Sequence, residues 1–202
     1  MPFSLSRVHA RPRFTLLLAA SAGLALSAVN CDAFTVSIAD RGAVKDGKTI
    51  NTVAIQVAVD ECAANGGGTV LVPAGVWLTG SIELKSQVTL QLDAGATLRG
   101  SSSLSDYPAN GFKHLEMGDT TSLLWAIHRD DVSICGGGTI DLNDRPFFDW
   151  GLLRTGLPPE KDSLLEDWQR SQCVVTAMKR PSQPIFFHDC RHIRLEGVTI
   201  RN

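Results

Sequence analysis

Val88-Thr89-Leu90-Gln91-Leu92-Asp93-Ala94-Gly95-Ala96-Thr97-Leu98 holds the architecture in miniature. Apolar and polar residues alternate over 88–92, which reads as a short strand. Asp93-Ala94-Gly95 reads as a bend, and 96–98 as a second short strand. The unit recurs. Val132-Ser133-Ile134 leads through Gly136-Gly137-Gly138 to Thr139-Ile140, and Ile193-Arg194-Leu195 leads through Gly197 to Thr199-Ile200. The first two units start 44 residues apart, twice 22, and the third starts 61 further on. Repeats of about 20–50 residues are the mark of a solenoid. Short strands and tight bends with no helix inside the unit predict a parallel β-helix, whose coils stack apolar side chains into a continuous column. On periodicity alone, a sandwich or jelly roll built from the same short strands stays open.

Upstream, residues 69–72 and 77–84 read as further short strands, the second broken by Gly80, and 34–38 as another. A turn containing Gly and Asp spans 40–48. One helix is clear: Ile55, Ala58, Val59 and Cys62 recur at helical spacing, Asn51 or Thr52 is placed to cap its start, and Asn65-Gly66-Gly67-Gly68 ends it. Alternating βαβ units are excluded, since no second long helix appears before residue 160. Residues 143–183 break the pattern and predict a long loop inserted between coils. Ser163 could cap a short helix there, and Phe147, Phe148, Trp150 and Trp168 could anchor the loop or stack on a sugar ring.

The chain has 202 residues, a net charge of −2, 44% apolar and 20% charged residues. That balance excludes a disordered chain and a strongly basic nucleic-acid binder. Arg7, Arg11 and Arg13 precede 16 uncharged residues, 14–29. That run suits a signal peptide and is short of the ~20 apolar residues a bilayer span needs. The expected domain boundaries are therefore a leader over 1–33, cleaved near 27 or 33, and a β-helix over 34–202. The mature chain is expected to be exported, periplasmic or extracellular, with no membrane attachment after cleavage. Cleavage after Ala33 leaves Cys62, Cys135, Cys173 and Cys190, which an exported chain can pair; spacing does not say which.

The chain resembles the N-terminal half of polygalacturonases, the family 28 glycoside hydrolases that cut pectin. The resemblance covers about 34–202. It rests on Asp40-Arg41-Gly42-Ala43-Val44-Lys45-Asp46-Gly47-Lys48-Thr49, Ala54-Ile55-Gln56, Gly66-Gly67-Gly68-Thr69-Val70-Leu71-Val72-Pro73-Ala74-Gly75, Leu78-Thr79-Gly80-Ser81-Ile82-Glu83-Leu84-Lys85-Ser86, Leu92-Asp93-Ala94-Gly95-Ala96-Thr97-Leu98, Gly136-Gly137-Gly138-Thr139-Ile140-Asp141 and Val198-Thr199-Ile200-Arg201-Asn202. The first two blocks also occur in pectate-lyase-like β-helix proteins and phage tailspikes. The resemblance implies a right-handed parallel β-helix with an N-terminal capping helix, and inverting hydrolysis of pectic polysaccharide without a cofactor. It implies neither nucleic acid nor a membrane as partner, and a monomer for the complete protein. After Asp141 the chain departs from the family's Gly and Trp pair with Asn143-Asp144-Arg145-Pro146-Phe147-Phe148-Asp149-Trp150.

The resemblance also implies catalytic residues that this sequence does not contain: an Asn-Thr-Asp, an Asp-Asp pair, a Gly-His-Gly and an Arg-x-Lys, all beyond the strand matching 198–202. No catalytic residue is therefore assigned within 1–202, and the 202-residue chain alone is expected to be inactive. An open last coil is expected to promote aggregation. Local stand-ins are poor. Asp130-Asp131 precedes a strand, and neighbouring strand residues face opposite ways. Asn51-Thr52 reads as a helix cap. His188, Cys190 and His192 have the i, i+2, i+4 spacing of zinc ligands on one strand face, but flanking apolar strands (185–187 and 193–195) favour a bend with Cys190 turned into the core, and no metal is assigned. His114 and His128 are lone histidines. Gly66-Gly67-Gly68 follows a helix instead of opening one, the wrong order for a phosphate loop. Two rivals stay open: a non-catalytic carbohydrate-binding or tailspike-like β-helix, and a lyase of the same fold. The lyase requires calcium, for which no acidic cluster is present.

Overall fold

The computed structural model describes residues 34–115, 118–144, 147, 181 and 183–201. The leader, Cys173, the cap at Ser163 and the aromatics Phe148, Trp150 and Trp168 lie outside the described residues, as does most of the 143–183 insertion.

Three parallel sheets wrap one core. The first runs β1 (Thr35–Ser37), β3 (Gly68–Val72), β6 (Val88–Leu92), β11 (Ser133–Gly136), β14 (Arg194–Glu196). The second runs β2 (Asp46–Ile50), β4 (Gly75–Thr79), β7 (Ala96–Gly100), β12 (Thr139–Asp141), β15 (Thr199–Arg201). The third holds β5 (Ile82–Glu83), β10 (Ser122–Ile127) and β13 (Gln183–His188). Each turn of the chain visits the three sheets in order, which makes a right-handed parallel β-helix. A 3-10 turn (Ile38–Arg41) and the helix α1 (Thr52–Ala64) precede the first full coil. The strand expected over 34–38 is thus shorter, because Ile38 already enters the 3-10 turn.

Register explains the sequence pattern. Val36, Val70, Leu90, Ile134 and Leu195 are successive partners in the first sheet. Trp77, Leu98, Ile140 and Ile200 align in the second, and Ile82, Leu124 and Ile185 in the third. These ladders are the apolar columns of the core, and every member before the last coil is buried apart from the partly covered Ile185. Leu195 and Ile200, on the last coil, are 47% and 42% exposed. The unit at Val132 is the coil directly above the unit at Val88, so the 44-residue spacing is one enlarged coil and not two coils of 22. The enlargement sits at one corner. A 3-10 turn (Leu104–Asp106) and the hairpin β8 (Lys113–His114) with β9 (Gly118–Asp119) lie between the second and third sheets. The insertion expected over 143–183 falls between β12 and β13 one coil later, and its expected last residue, Gln183, already belongs to β13.

α1 turns Ile55, Ala58, Val59 and Cys62 into the base of the column and leaves Val53 77% exposed. Asn51 occupies the N-cap, but its side chain does not cap the first turn. It accepts from the Val44 N–H (2.7 Å) and donates to the carbonyls of Val44, Thr49 and Leu78 (3.0, 2.9 and 3.2 Å), so it pins the entering loop to β4. The helix ends as expected, with the Gly67 N–H donating to the Cys62 carbonyl (2.9 Å) and Gly66 at φ +82°. Cys62, Cys135 and Cys190 are free thiols among the described residues.

Asp46 begins β2 as a small acid-sensitive staple. Its carboxylate accepts from the Lys48 and Thr49 N–H groups (2.8 and 2.7 Å) and from the Thr49 hydroxyl (2.8 Å). These bonds favour the ionised form and pull its pKa down to about 2. A depressed folded pKa contributes stability that is complete above the unfolded value of about 3.9 and is lost as pH falls toward about 2. Asp46→Asn is expected to remove that part of the acid dependence, leaving a flatter unfolding midpoint against pH below pH ~4. An unchanged profile, or an Asp46 carboxyl titrating by NMR in the ordinary range, contradicts the assignment.

Candidate functional site

The outer face of the third sheet is built by alternation. Leu124, Ala126, Ile185 and Phe187 turn inward, so Trp125, Ile127, Phe186 and His188 face out. Register places Glu83, Trp125 and Phe186 on successive coils, with Ile127 beside His188. Phe112, from the loop at the enlarged corner, lies over this face with its ring centroid 5.2 Å from Phe186 and 4.3 Å from His188. The Phe186 and His188 rings are parallel within 2°, 6.2 Å apart. The Trp125 Nε1 donates to the Ser81 hydroxyl (3.0 Å), which fixes the indole.

Charge gathers at the edges of this face. Glu83 is held by Lys85 (2.8 Å) and Arg129 (2.7 Å). Burial pushes the Glu83 carboxyl up, but the bonds from Lys85 and Arg129 outweigh it and hold the group below its ordinary value. At the turn into the first sheet Gln87 has left-handed backbone (φ +61°), and so do four residues on the next two coils: His128, Asp131, Asp189 and His192, at φ +53°, +58°, +48° and +54°. The four on those two coils are two histidines and two aspartates. They pair across coils with the roles exchanged. His128 Nδ1 meets Asp189 at 2.7 Å, and His192 Nδ1 meets Asp131 at 3.1 Å. Such exposed pairs contribute little to stability, typically below ~1 kcal/mol.

The residues singled out from sequence do not converge. Asp130 bridges to Arg191 in the next coil, while Asp131 pairs with His192. The two left-handed residues Asp189 and His192 turn the backbone, so His188, Cys190 and His192 do not share a strand face. Cys190 turns toward the core and donates to the carbonyls of Ala126 and His188, while His188 joins the aromatic face. No group of three or more metal-ligating side chains forms among the described residues. His114 is half-buried in β8. Gly68, at the end of the glycine run, approaches Phe34 so closely that a Cβ there would lie 2.3 Å from its carbonyl oxygen. Asp141 is buried on the second sheet between Arg99 and Arg201 (3.5 and 3.4 Å), a ladder that ties three coils. Phe147 is buried edge-on to Tyr107, 6.2 Å away, and so anchors the start of the insertion. Both line a shallow cleft at that corner, together with Leu123 and Leu142.

Sequence reading missed the aromatic face because its rings come from two coils and a loop. The available signal was the alternation in Ser122-Leu123-Leu124-Trp125-Ala126-Ile127, which puts Trp125 opposite the core residues.

No family model matches the chain. It is 34% identical over 192 residues to a probable polygalacturonase of Vitis vinifera, covering 88% of this chain and 39% of the relative. It is also 34% identical over 195 residues to an exo-poly-alpha-D-galacturonosidase of Dickeya chrysanthemi, covering 83% of this chain and 32% of the relative. The family 28 exopolygalacturonase of Yersinia enterocolitica superposes with a TM-score of 0.62 at 28% identity, over 83% of this chain and 35% of that one. The chain is therefore similar to polygalacturonases over most of its length, and spans about a third to two fifths of the length of these curated relatives.

Proposed function

We propose that the chain is part of a polygalacturonase-like glycoside hydrolase acting on pectic polysaccharide outside the cytoplasm. The likeness to two polygalacturonases across most of the chain carries this reading. The coil register supports it, because the fold supplies a straight outer sheet face along which a polysaccharide can lie. Residues 1–33 fit the reading as an export leader, and no helix among the described residues is long and apolar enough to cross a membrane.

Inverting hydrolysis needs a carboxylic acid and a carboxylate base about 6.5–9.5 Å apart, flanking the scissile bond. Glu83 is a poor candidate for either, since Lys85 and Arg129 hold it ionised and occupied. Asp189 and Asp131 are paired with histidines on an exposed turn. With the family's catalytic motifs absent from this sequence, the proposal is that the catalytic carboxylates lie outside residues 1–202. Incubated with polygalacturonate, the 202-residue chain is expected to release no new reducing ends, while a longer protein carrying the remaining coils does. Robust turnover by the chain alone would overturn the placement. Lack of turnover by the longer protein would overturn the activity.

A further inference from the structure

Two Asn–Gly pairs occur in the sequence, Asn65–Gly66 and Asn110–Gly111. In such a pair the glycine has no side chain to shield its backbone nitrogen. That nitrogen can attack the asparagine Cγ. An N–Cγ bond forms, the bond from Cγ to the side-chain nitrogen breaks, and ammonia leaves with the glycine proton. Water then opens the cyclic imide to aspartate or isoaspartate, so water is the one co-reactant. The fold treats the two pairs differently. Asn65 and Gly66 are exposed at the end of α1. Asn65 has φ −87° and ψ 13°, so the ring closes only once the last turn opens, and helix ends are where opening costs least. Its side-chain amide donates to the Glu61 carbonyl (2.8 Å) at the exposed surface. Asn110 is 5% exposed. Its Oδ1 accepts from the Phe112 N–H (3.1 Å) and the Thr120 hydroxyl (2.6 Å), which holds its Cγ inside the corner of the coil.

The products differ from asparagine in charge, and isoaspartate also in backbone length. The end of α1 is poorly suited to either change. The helix carries no basic residue in its last turn. The nearby Arg41 is already engaged by both carboxylate oxygens of Glu61 (2.6 and 2.7 Å). A carboxylate at position 65 faces the negative end of the helix dipole and stands one turn from Glu61. It also lacks the donor that now reaches the Glu61 carbonyl. Isoaspartate routes the main chain through an extra methylene. The next glycines leave no room for the shift, since Cβ positions at Gly67 and Gly68 lie 2.7 and 2.3 Å from the backbone oxygens of Gln87 and Phe34.

We propose that Asn65–Gly66 is a site of spontaneous deamidation, and that the new carboxylate loosens the end of α1 from the base of the column. The test is incubation of the folded 202-residue chain in mildly alkaline buffer, followed by peptide mapping by mass spectrometry and enzymatic labelling of isoaspartate. Asn65 is expected to convert about tenfold faster than Asn110, and the difference to vanish in urea, where both pairs are exposed. Equal rates in the folded chain, or a folded Asn65 that does not convert, overturn the site. Asn65→Asp installs the charge without the longer backbone, and is expected to shift the folding equilibrium about tenfold toward the unfolded chain. Asn65→Gln keeps a neutral amide whose longer side chain does not form the same imide ring. It is expected to stop conversion at position 65 and to keep the wild-type urea midpoint. An Asn65→Asp midpoint equal to wild type, or a fall of the same size in Asn65→Gln, overturns the effect on the helix.

Discussion

Gly136→Ala is expected to destabilise the chain by roughly 2–6 kcal/mol, enough to unfold a domain of ordinary stability. Gly136 has φ +110°, a conformation that L side chains rarely adopt. A Cβ built there lies 2.1 Å from the Leu92 carbonyl oxygen and 2.9 Å from its carbon. Those atoms are backbone of the coil below, in direct register with Gly136, and no rotamer change relieves the contact. Gly42 provides the control. It also has positive φ, +85°, but nothing lies within 4 Å of its Cβ position. Gly42→Ala is expected to cost only the conformational term, about 1–2 kcal/mol. Urea unfolding of the two variants separates strain from contact. Equal losses would show that the close approach of the coils at Gly136 contributes nothing.

The contrast also shows what the sequence could and could not reveal. The columns were legible, because each coil must supply an apolar residue at fixed register and the chain writes this as Val88-Thr89-Leu90 and its echoes. The coil count was not legible from spacing. A coil grows wherever the chain leaves the ladder, and this chain puts its extra residues at one corner, so 44 residues make a single coil. The motif His188, Cys190, His192 misled for a similar reason. A period of two holds only while the backbone is extended, and the left-handed conformations of Asp189 and His192 end that. The local sequence announces those turns only weakly: neither residue is Gly, although Asp and His enter the left-handed region more readily than most side chains. They are set by register, which places Asp189 above His128 and His192 above Asp131. The aromatic face was hidden for the opposite reason: its members are ordinary locally and meaningful only once the coils are stacked.

Leu90 and Leu195 occupy the same column and are expected to behave differently. Leu90 is fully buried, with Val70 below it and Ile134 above. Leu90→Ala removes buried methyl groups and leaves a cavity that rigid neighbouring coils cannot close, for a cost of about 3–5 kcal/mol. Leu195 touches the column on one side, through Ile134, and is 47% exposed. Its truncation forfeits only the covered half of its transfer energy and opens no cavity, so Leu195→Ala is expected to cost about 1 kcal/mol or less. Thermal or urea unfolding of the two variants in the 202-residue chain measures the difference directly. Similar losses at both positions would mean that something already covers the last coil. In a longer protein whose next coil stacks on β14, Leu195 becomes an interior member of the column, and its truncation cost should rise to that of Leu90. The ratio of the two costs, measured in both lengths of chain, therefore tests whether this solenoid continues by the register that builds it.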